Sequence, residues 1–139
     1  MLHLETKNIL SVKGLRVTDF RLQVLEVFMQ HENAIDTELL ENSLQEFDRI
    51  TLYRTLKTLI ESGIIHEIVI PGDTRKLALC KDDCHVHEHG HEHQHLHFKC
   101  ENCNQVFCLE LKEFPVVKYP KFKIHHLEIL GSGLCEGCR

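Results

Sequence analysis

The sequence predicts an α+β protein, a winged helix-turn-helix followed by a second, smaller domain. Three observations predict it. Helical patterns with recognisable caps fill the first 63 residues and run into a β-branched hairpin. A His-rich, nearly apolar-free segment then breaks the composition over residues 81–96. Beyond it, two Cys-x-x-Cys pairs punctuate short strand-like runs.

Taken in order, residues 5–13 read as a short helix ended by Gly14 as a C-cap. Thr18 is a good N-cap for a helix over about 19–30, whose apolar stripe includes Leu22, Leu25, Phe28 and Met29. Asp36 caps a third helix with Leu39, Leu40 and Leu44 on its face. Asp48 opens a fourth over about 49–62, with Leu52, Leu56, Leu59 and Ile60 on its buried side and Gly63 as its stop. Residues 64–70 are β-branched and read as a strand, Pro71-Gly72-Asp73 as a turn, and Lys76 to Leu79 as the returning strand. Helices with the last two closely joined, then a hairpin, make a winged helix-turn-helix; a generic small α+β domain is the alternative on pattern alone. Residues 1–80 form that domain, 81–96 a mobile connection and 97–139 the second domain. In the latter, His97 to Leu111, Lys121 to Ile124 and Leu127 to Leu130 read as strands, and Pro115 and Pro120 limit any helix between them.

Composition narrows the function. The chain of 139 residues is 42% hydrophobic with no Trp, so it holds one ordinary core or two small aliphatic ones. No apolar run is long enough to span a membrane, and Met1-Leu2-His3-Leu4-Glu5 is no secretory signal. Seven cysteines, four of them in Cys-x-x-Cys pairs, therefore read as metal ligands in a reducing, cytoplasmic setting rather than as a disulfide scaffold. The net charge of −5 argues mildly against nucleic acid, although Lys7, Lys13, Arg16 and Arg21 give the N-terminal stretch a basic bias.

Cys100, Cys103, Cys135 and Cys138 carry the strongest chemical signal. Two thiolates at this spacing grip one side of a tetrahedral ion and a second pair grips the other, so the set reads as a structural zinc site, one ion per chain. It would tie down the C-terminal tail and leave no open position for catalysis. His occupies every odd position from 85 to 97. If extended, all seven imidazoles share one side and offer a surface for borderline divalent metals; a disordered tract of weak metal affinity is the alternative. His-Glu-x-x-His matches within this run lack the helical apolar period a metalloprotease needs. His126-Leu127-Glu128 before Cys135 echoes a deaminase signature, but no Pro precedes Cys135 and Cys100 and Cys103 would be left over. Nothing points to an enzyme: no nucleophile–base set or open metal position is evident.

Several stretches together resemble the ferric uptake regulator family of metal-dependent repressors. They are Gly14-Leu-Arg-Val-Thr-Asp-Phe-Arg21, Ile50-Thr-Leu-Tyr-Arg-Thr-Leu56, Glu61-Ser-Gly-Ile64, His97-x-x-Cys-x-x-Cys103, and Leu127-Glu-Ile-Leu-Gly131 before Cys135-x-x-Cys138. The resemblance spans about Leu10 to Cys138. It implies an α+β chain with an N-terminal winged helix-turn-helix domain plus a small C-terminal α/β dimerisation domain. It implies a homodimer on double-stranded DNA, with an AT-rich palindromic operator. Thr51, Tyr53 and Arg54 would enter the major groove, Arg16 the minor groove, and Arg21 would lie near the backbone.

Departures from the iron-type pattern are equally informative. Where iron-type members place a His before the third helix and a Glu on the second wing strand, this chain has Ala34 and Ala78. An oxygen ligand is lost where His95-Leu96-His97 replaces His-Asp-His, and Phe20 stands where a Pro is usual. Zinc-type members use a His after the recognition helix and a Cys ending the wing, and here His66 and Cys80 stand there. Their remaining ligands fall on His93, with His95 or His97 able to serve instead, and on Cys108, with Glu110 two residues on. His125 matches a second iron-type metal position most of whose partners are missing. The resemblance thus implies a zinc-sensing transcriptional repressor of metal uptake genes, in which a second, regulatory zinc bridges His66 and Cys80 to the ligands beyond the hinge. An iron-, manganese- or peroxide-responsive member, or a His-rich zinc storage or chaperone protein, are the alternatives.

Overall fold

The computed structural model describes residues 2–80, 95–113, 115–124 and 127–139. The chain divides into two compact units, residues 1–80 and 81–139. Among the described residues no helix is long and apolar enough to cross a membrane.

The first unit contains α1 (Leu2–Val12), α2 (Asp19–Met29), α3 (Thr37–Ser43), α4 (Arg49–Glu61), β1 (Ile65–Ile68) and β2 (Lys76–Leu79). Its helix boundaries follow from local chemistry. Thr18, Asp36 and Asp48 each accept a hydrogen bond from the backbone N–H three residues on, which satisfies a donor that the first helical turn leaves open. At the other ends, Gly14 and Gly63 take φ of 69° and 76°. Each closes a Schellman motif. Leu15 N–H donates to Leu10 O at 3.0 Å and Gly14 N–H to Ser11 O at 3.0 Å, while Ile64 N–H donates to Leu59 O at 2.9 Å and Gly63 N–H to Ile60 O at 3.0 Å.

The core is mostly aliphatic. Leu10 of α1, Leu22, Val24, Leu25 and Phe28 of α2, Leu40 of α3 and Leu52, Leu56 and Leu59 of α4 are buried together with Ile65 and Leu77 of the hairpin. Each such side chain contributes roughly 1.5–3 kcal/mol relative to exposure. Phe20 packs against this cluster too. The hairpin pairs antiparallel, Ile65 opposite Leu79 and Ile68 opposite Lys76. Ile35 adds an isolated bridge to Leu77, with both N–H···O bonds made at 2.8 and 2.7 Å, so the segment before α3 is laced to the wing. α3 and α4 are joined through Leu44–Asp48, with Leu44 buried and Phe47 half-buried against the core.

The second unit contains β3 (His95–Cys100), β4 (Val106–Glu110) and β5 (Ile129–Gly133) in the order β4-β3-β5. β3 and β4 are antiparallel with His97 opposite Cys108; β3 and β5 are parallel with Leu96 opposite Ile129 and Cys100 opposite Gly133. The strand predicted over Lys121 to Ile124 is absent. Pro120 has no N–H to give a ladder, Lys121 lies in the left-handed region at φ 71°, and Phe122 N–H closes a turn onto Tyr119 O at 3.1 Å. The strand predicted over Leu127 to Leu130 starts later and runs on to Gly133, through two glycines of low β-propensity. A Cβ at Gly131 would stand 3.2 Å from Leu96 Cδ1, so close packing on β3 explains the glycine there. β3 also begins at His95, inside the segment read from sequence as connection.

Candidate metal centres and nucleic-acid face

The four cysteines converge because the sheet register carries them to one end. Cys100 closes β3, opposite Gly133, two residues before Cys135. After β3 the chain turns tightly: Asn104 N–H donates to Cys100 O at 3.0 Å, with Asn104 at φ 62°. Glu101 N–H ties this turn to Gly133 O at 2.7 Å, and Cys138 and Arg139 N–H both donate to Cys135 O at 2.9 and 3.0 Å. Each Cys-x-x-Cys is thus a backbone knuckle that aims its two sulfurs the same way. All four sulfurs lie within 4.8 Å of one another. Cys103 Sγ and Cys135 Sγ are 3.8 Å apart. Tetrahedral geometry at a Zn–S bond of about 2.3 Å spaces sulfurs by about 3.8 Å, so the donor set fits a zinc ion.

Electrostatics agree with that fit. The backbone N–H of Cys103 and then that of Cys135 hold the Cys100 thiol down at about 6, the latter donating to Cys100 Sγ at 3.4 Å. Cys135 is pushed up to about 12, first by the Cys138 sulfur and then by burial and by Cys100 and Cys103. Cys103 is raised as well: the Gln105 backbone N–H favours its thiolate, but burial and the Cys100 sulfur outweigh that. Four sulfurs this close resist becoming four thiolates on their own, whereas a dication among them reverses the sign of the balance.

A second set of donors appears as one pair in each unit. On the wing, His66 of β1 lies with its Nδ1 3.1 Å from Cys80 Sγ, both side chains half-buried. Cys80 N–H donates to Ile64 O at 2.8 Å, which anchors the residue just past β2. Ala78, the ladder partner of His66, and Ala34 are buried and offer no donor. In the second unit, His97 and Cys108 are direct cross-strand partners and both half-buried. Opposed residues of an antiparallel pair share a sheet face, with Cβ atoms about 4.5–5.5 Å apart. Glu110 is exposed and lies opposite His95. His93, Cys84, His125 and the run 85–91 lie outside the described residues.

The outer face of α4 is the third candidate element. Leu52, Thr55, Leu56 and Leu59 are buried, so helical periodicity turns Arg49, Ile50, Thr51, Tyr53, Arg54 and Lys57 outward. Tyr53 is 46% exposed and Ile50 61%. Thr51 is committed to the cap: its hydroxyl and its N–H both donate to Asp48 Oδ2, at 2.9 and 3.0 Å. Those two bonds, the hydroxyl first, hold the Asp48 carboxyl below its ordinary value, and Arg54 adds a smaller coulombic pull in the same direction. Arg21 donates through Nη1 to Arg16 O at 2.8 Å, so it braces the loop that presents the exposed Arg16. Sequence reading placed Tyr53 and Arg54 on this face but passed over Ile50; its one visible sign was an apolar residue off the buried stripe.

The ferric uptake regulator family matches residues 12–130. A ferric uptake regulation protein of Staphylococcus aureus is 27% identical, with 94% of this chain and 93% of that protein covered. Among solved structures, a zinc uptake regulator complexed with zinc and DNA is similar at a TM-score of 0.64 and 23% identity, covering 98% of this chain and 91% of that one. A ferric uptake regulator from Pseudomonas aeruginosa with manganese is similar at a TM-score of 0.62 and 17% identity, covering 94% and 98%. At these identities both structures speak to the fold, a winged helix joined to a small sheet domain.

Proposed function

The chain belongs to the ferric uptake regulator family, and from that premise we propose that it is a homodimeric transcriptional repressor that binds operator DNA in response to zinc. Members of the family regulate transcription and are not enzymes, and metal-dependent DNA binding is their shared activity. The finer reading, zinc as the signal, rests on one observation: the pairing of His66 and Cys80 on the wing at 3.1 Å. A thiolate with an imidazole is a donor pair that suits zinc better than manganese or magnesium, which take more oxygen.

In this reading Cys100, Cys103, Cys135 and Cys138 hold a structural zinc that stabilises the dimerisation unit. The regulatory ion takes His66 and Cys80 from the DNA-binding unit and His97 and Cys108 from the dimerisation unit, with His93 or His95 as alternative imidazoles. Four donors of this kind are the complement of a closed tetrahedral site. Such a site supplies one rigid link, so metal occupancy selects the arrangement in which both α4 helices meet the same DNA face. Tyr53 and Arg54 then contact bases and phosphates in the major groove, Thr51 keeps the helix start in register through Asp48, and Arg16 and Arg21 meet the minor groove and the backbone. A two-fold dimer calls for a palindromic operator with half-sites one helical turn apart, AT-rich by resemblance. Thiolate ligands imply a reducing, cytoplasmic setting, and metal uptake genes are the targets this logic suits.

The test is fluorescence anisotropy of palindromic duplexes and promoter fragments, titrated with protein at buffered free zinc, and in parallel with iron(II) and manganese(II). Tight binding with zinc alone is expected. Binding that follows manganese or iron instead would replace zinc as the signal, and many weak zinc ions per chain without DNA affinity would favour metal storage.

A further inference from the structure

Ile50 is an apolar side chain that the fold does not use. It sits in the first turn of α4, two residues after the N-cap Asp48, and is 61% exposed. It takes no part in the buried cluster, which α4 reaches through Leu52, Leu56 and Leu59 with Ile60 beside them. A β-branched residue is also a weaker helix former than Ala, so neither packing nor propensity accounts for it.

Its neighbours in that turn are engaged. Arg49 Nε lies 3.8 Å from Glu41 Oε1 of α3, and the Thr51 hydroxyl donates to Asp48. Ile50 shares the outward face with Tyr53 and Arg54, three and four residues on. In helix-turn-helix proteins the N-terminal residues of the recognition helix meet the base edges. The major groove is lined by hydrogen-bonding atoms, with one apolar feature, the thymine C5 methyl group. An aliphatic side chain held there gains by covering that methyl and loses by facing a bare polar edge.

We propose that Ile50 is a specificity-determining residue that packs on a thymine methyl group in each operator half-site. The inference rests on the reading of α4 as the recognition helix. It adds an aliphatic contact to those assigned to Tyr53 and Arg54.

The experiment uses the full chain loaded with zinc. Duplexes are first selected from a random pool, and each thymine of the selected site is then replaced singly by deoxyuridine, which lacks only the methyl. Wild-type protein is expected to lose about fourfold in affinity at one thymine per half-site, the value of one buried methyl group. Ile50→Ala is expected to bind the thymine duplex more weakly, to be indifferent to uracil at that position, and to keep its uracil response elsewhere. Ile50→Val should keep the uracil response at that thymine. Thermal unfolding of Ile50→Val should match wild type and that of Ile50→Ala should come no earlier, which separates contact from folding. Undiminished uracil sensitivity in Ile50→Ala, or no thymine whose methyl matters to wild type, would overturn the inference while leaving DNA binding intact. A pool that yields no duplex would overturn the DNA-binding reading and this inference with it.

Discussion

Replacing Cys80 with Ser separates regulation from folding. The substitution exchanges a sulfur donor for a hydroxyl of similar size at a half-buried position, and it leaves the backbone bond from residue 80 to Ile64 O at 2.8 Å in place. The wing ladder from Ile65–Leu79 to Ile68–Lys76 depends on main-chain groups and on buried Ile65, Ile68 and Leu77, none of which changes. The folded unit should therefore lose no more than about 1 kcal/mol. Metal binding is another matter. A neutral hydroxyl is a far poorer zinc ligand than a thiolate, and His66 loses the partner now 3.1 Å from its Nδ1. If zinc acts through this pair, the linkage between metal and DNA is on the order of 1–3 kcal/mol, a gain of roughly 5–150-fold in DNA affinity, and Cys80→Ser should bring that gain to about one. Native mass spectrometry should show zinc falling from about two ions per chain to about one, the cysteine-held ion remaining. Anisotropy under buffered zinc reads the DNA arm, and sedimentation reads the dimer, which should persist. An unchanged zinc response in the variant would refute the reasoning and remove Cys80 from the mechanism.

Four further outcomes are expected. Leu52→Ala empties a fully buried position of α4 and should cost about 2–5 kcal/mol, a large share of what an 80-residue unit holds, read as a lower urea midpoint. Tyr53→Ala and Arg54→Ala remove exposed side chains, so unfolding should be unchanged while operator affinity falls by about 1–3 kcal/mol each in anisotropy titrations. The Asp48 carboxyl is held below its ordinary value by the Thr51 hydroxyl and N–H, so its cap contributes stability above the unfolded value of 3.8 and loses it as pH falls through the lower folded one. Urea midpoints against pH should show that acid loss shrinking in Asp48→Asn, which keeps an acceptor that does not titrate. Finally, zinc uptake by the metal-free dimerisation unit should release protons, since Cys103 and Cys135 are both raised and remain thiols near neutral pH while Cys100, at about 6, is already ionised. Uptake should therefore strengthen as pH rises from 6 toward 9, which dye-monitored titration in weak buffer measures.

Helix ends were legible because their causes are local. Thr18, Asp36 and Asp48 bond to N–H groups three residues away, and Gly14 and Gly63 close turns within six residues, so each cap carries its own signal. The β1–β2 hairpin was legible for the same reason, its strands being separated by one short turn. The strand expected at Lys121 to Ile124 failed because alternation of charge and apolar residues promises a strand only where a partner offers a ladder. Pro120 and the left-handed Lys121 deny one. β5 was misplaced because its identity comes from parallel pairing with β3, a contact made thirty-odd positions away and hidden by its glycines.

For the sites, the amino-acid sequence offered the candidate donors: four cysteines in two Cys-x-x-Cys pairs, His66 and Cys80 by resemblance, His93 with His95 or His97 able to serve, and Cys108 with Glu110 two residues on, besides Thr51, Tyr53 and Arg54 on α4. Spacing within a knuckle or a helical turn is a short-range property that the chain cannot disguise. Which donors pair was a matter for the folded chain. Backbone hydrogen bonds set the β3–β5 register that carries Cys100 to Cys135, the β3–β4 register that sets His97 against Cys108, and the wing ladder that brings His66 to 3.1 Å from Cys80. A shift of one residue in any of these would turn a ligand to the opposite face. Exposure of Ile50 was likewise decided by packing, because an apolar residue two positions along the helix, Leu52, belongs to the core.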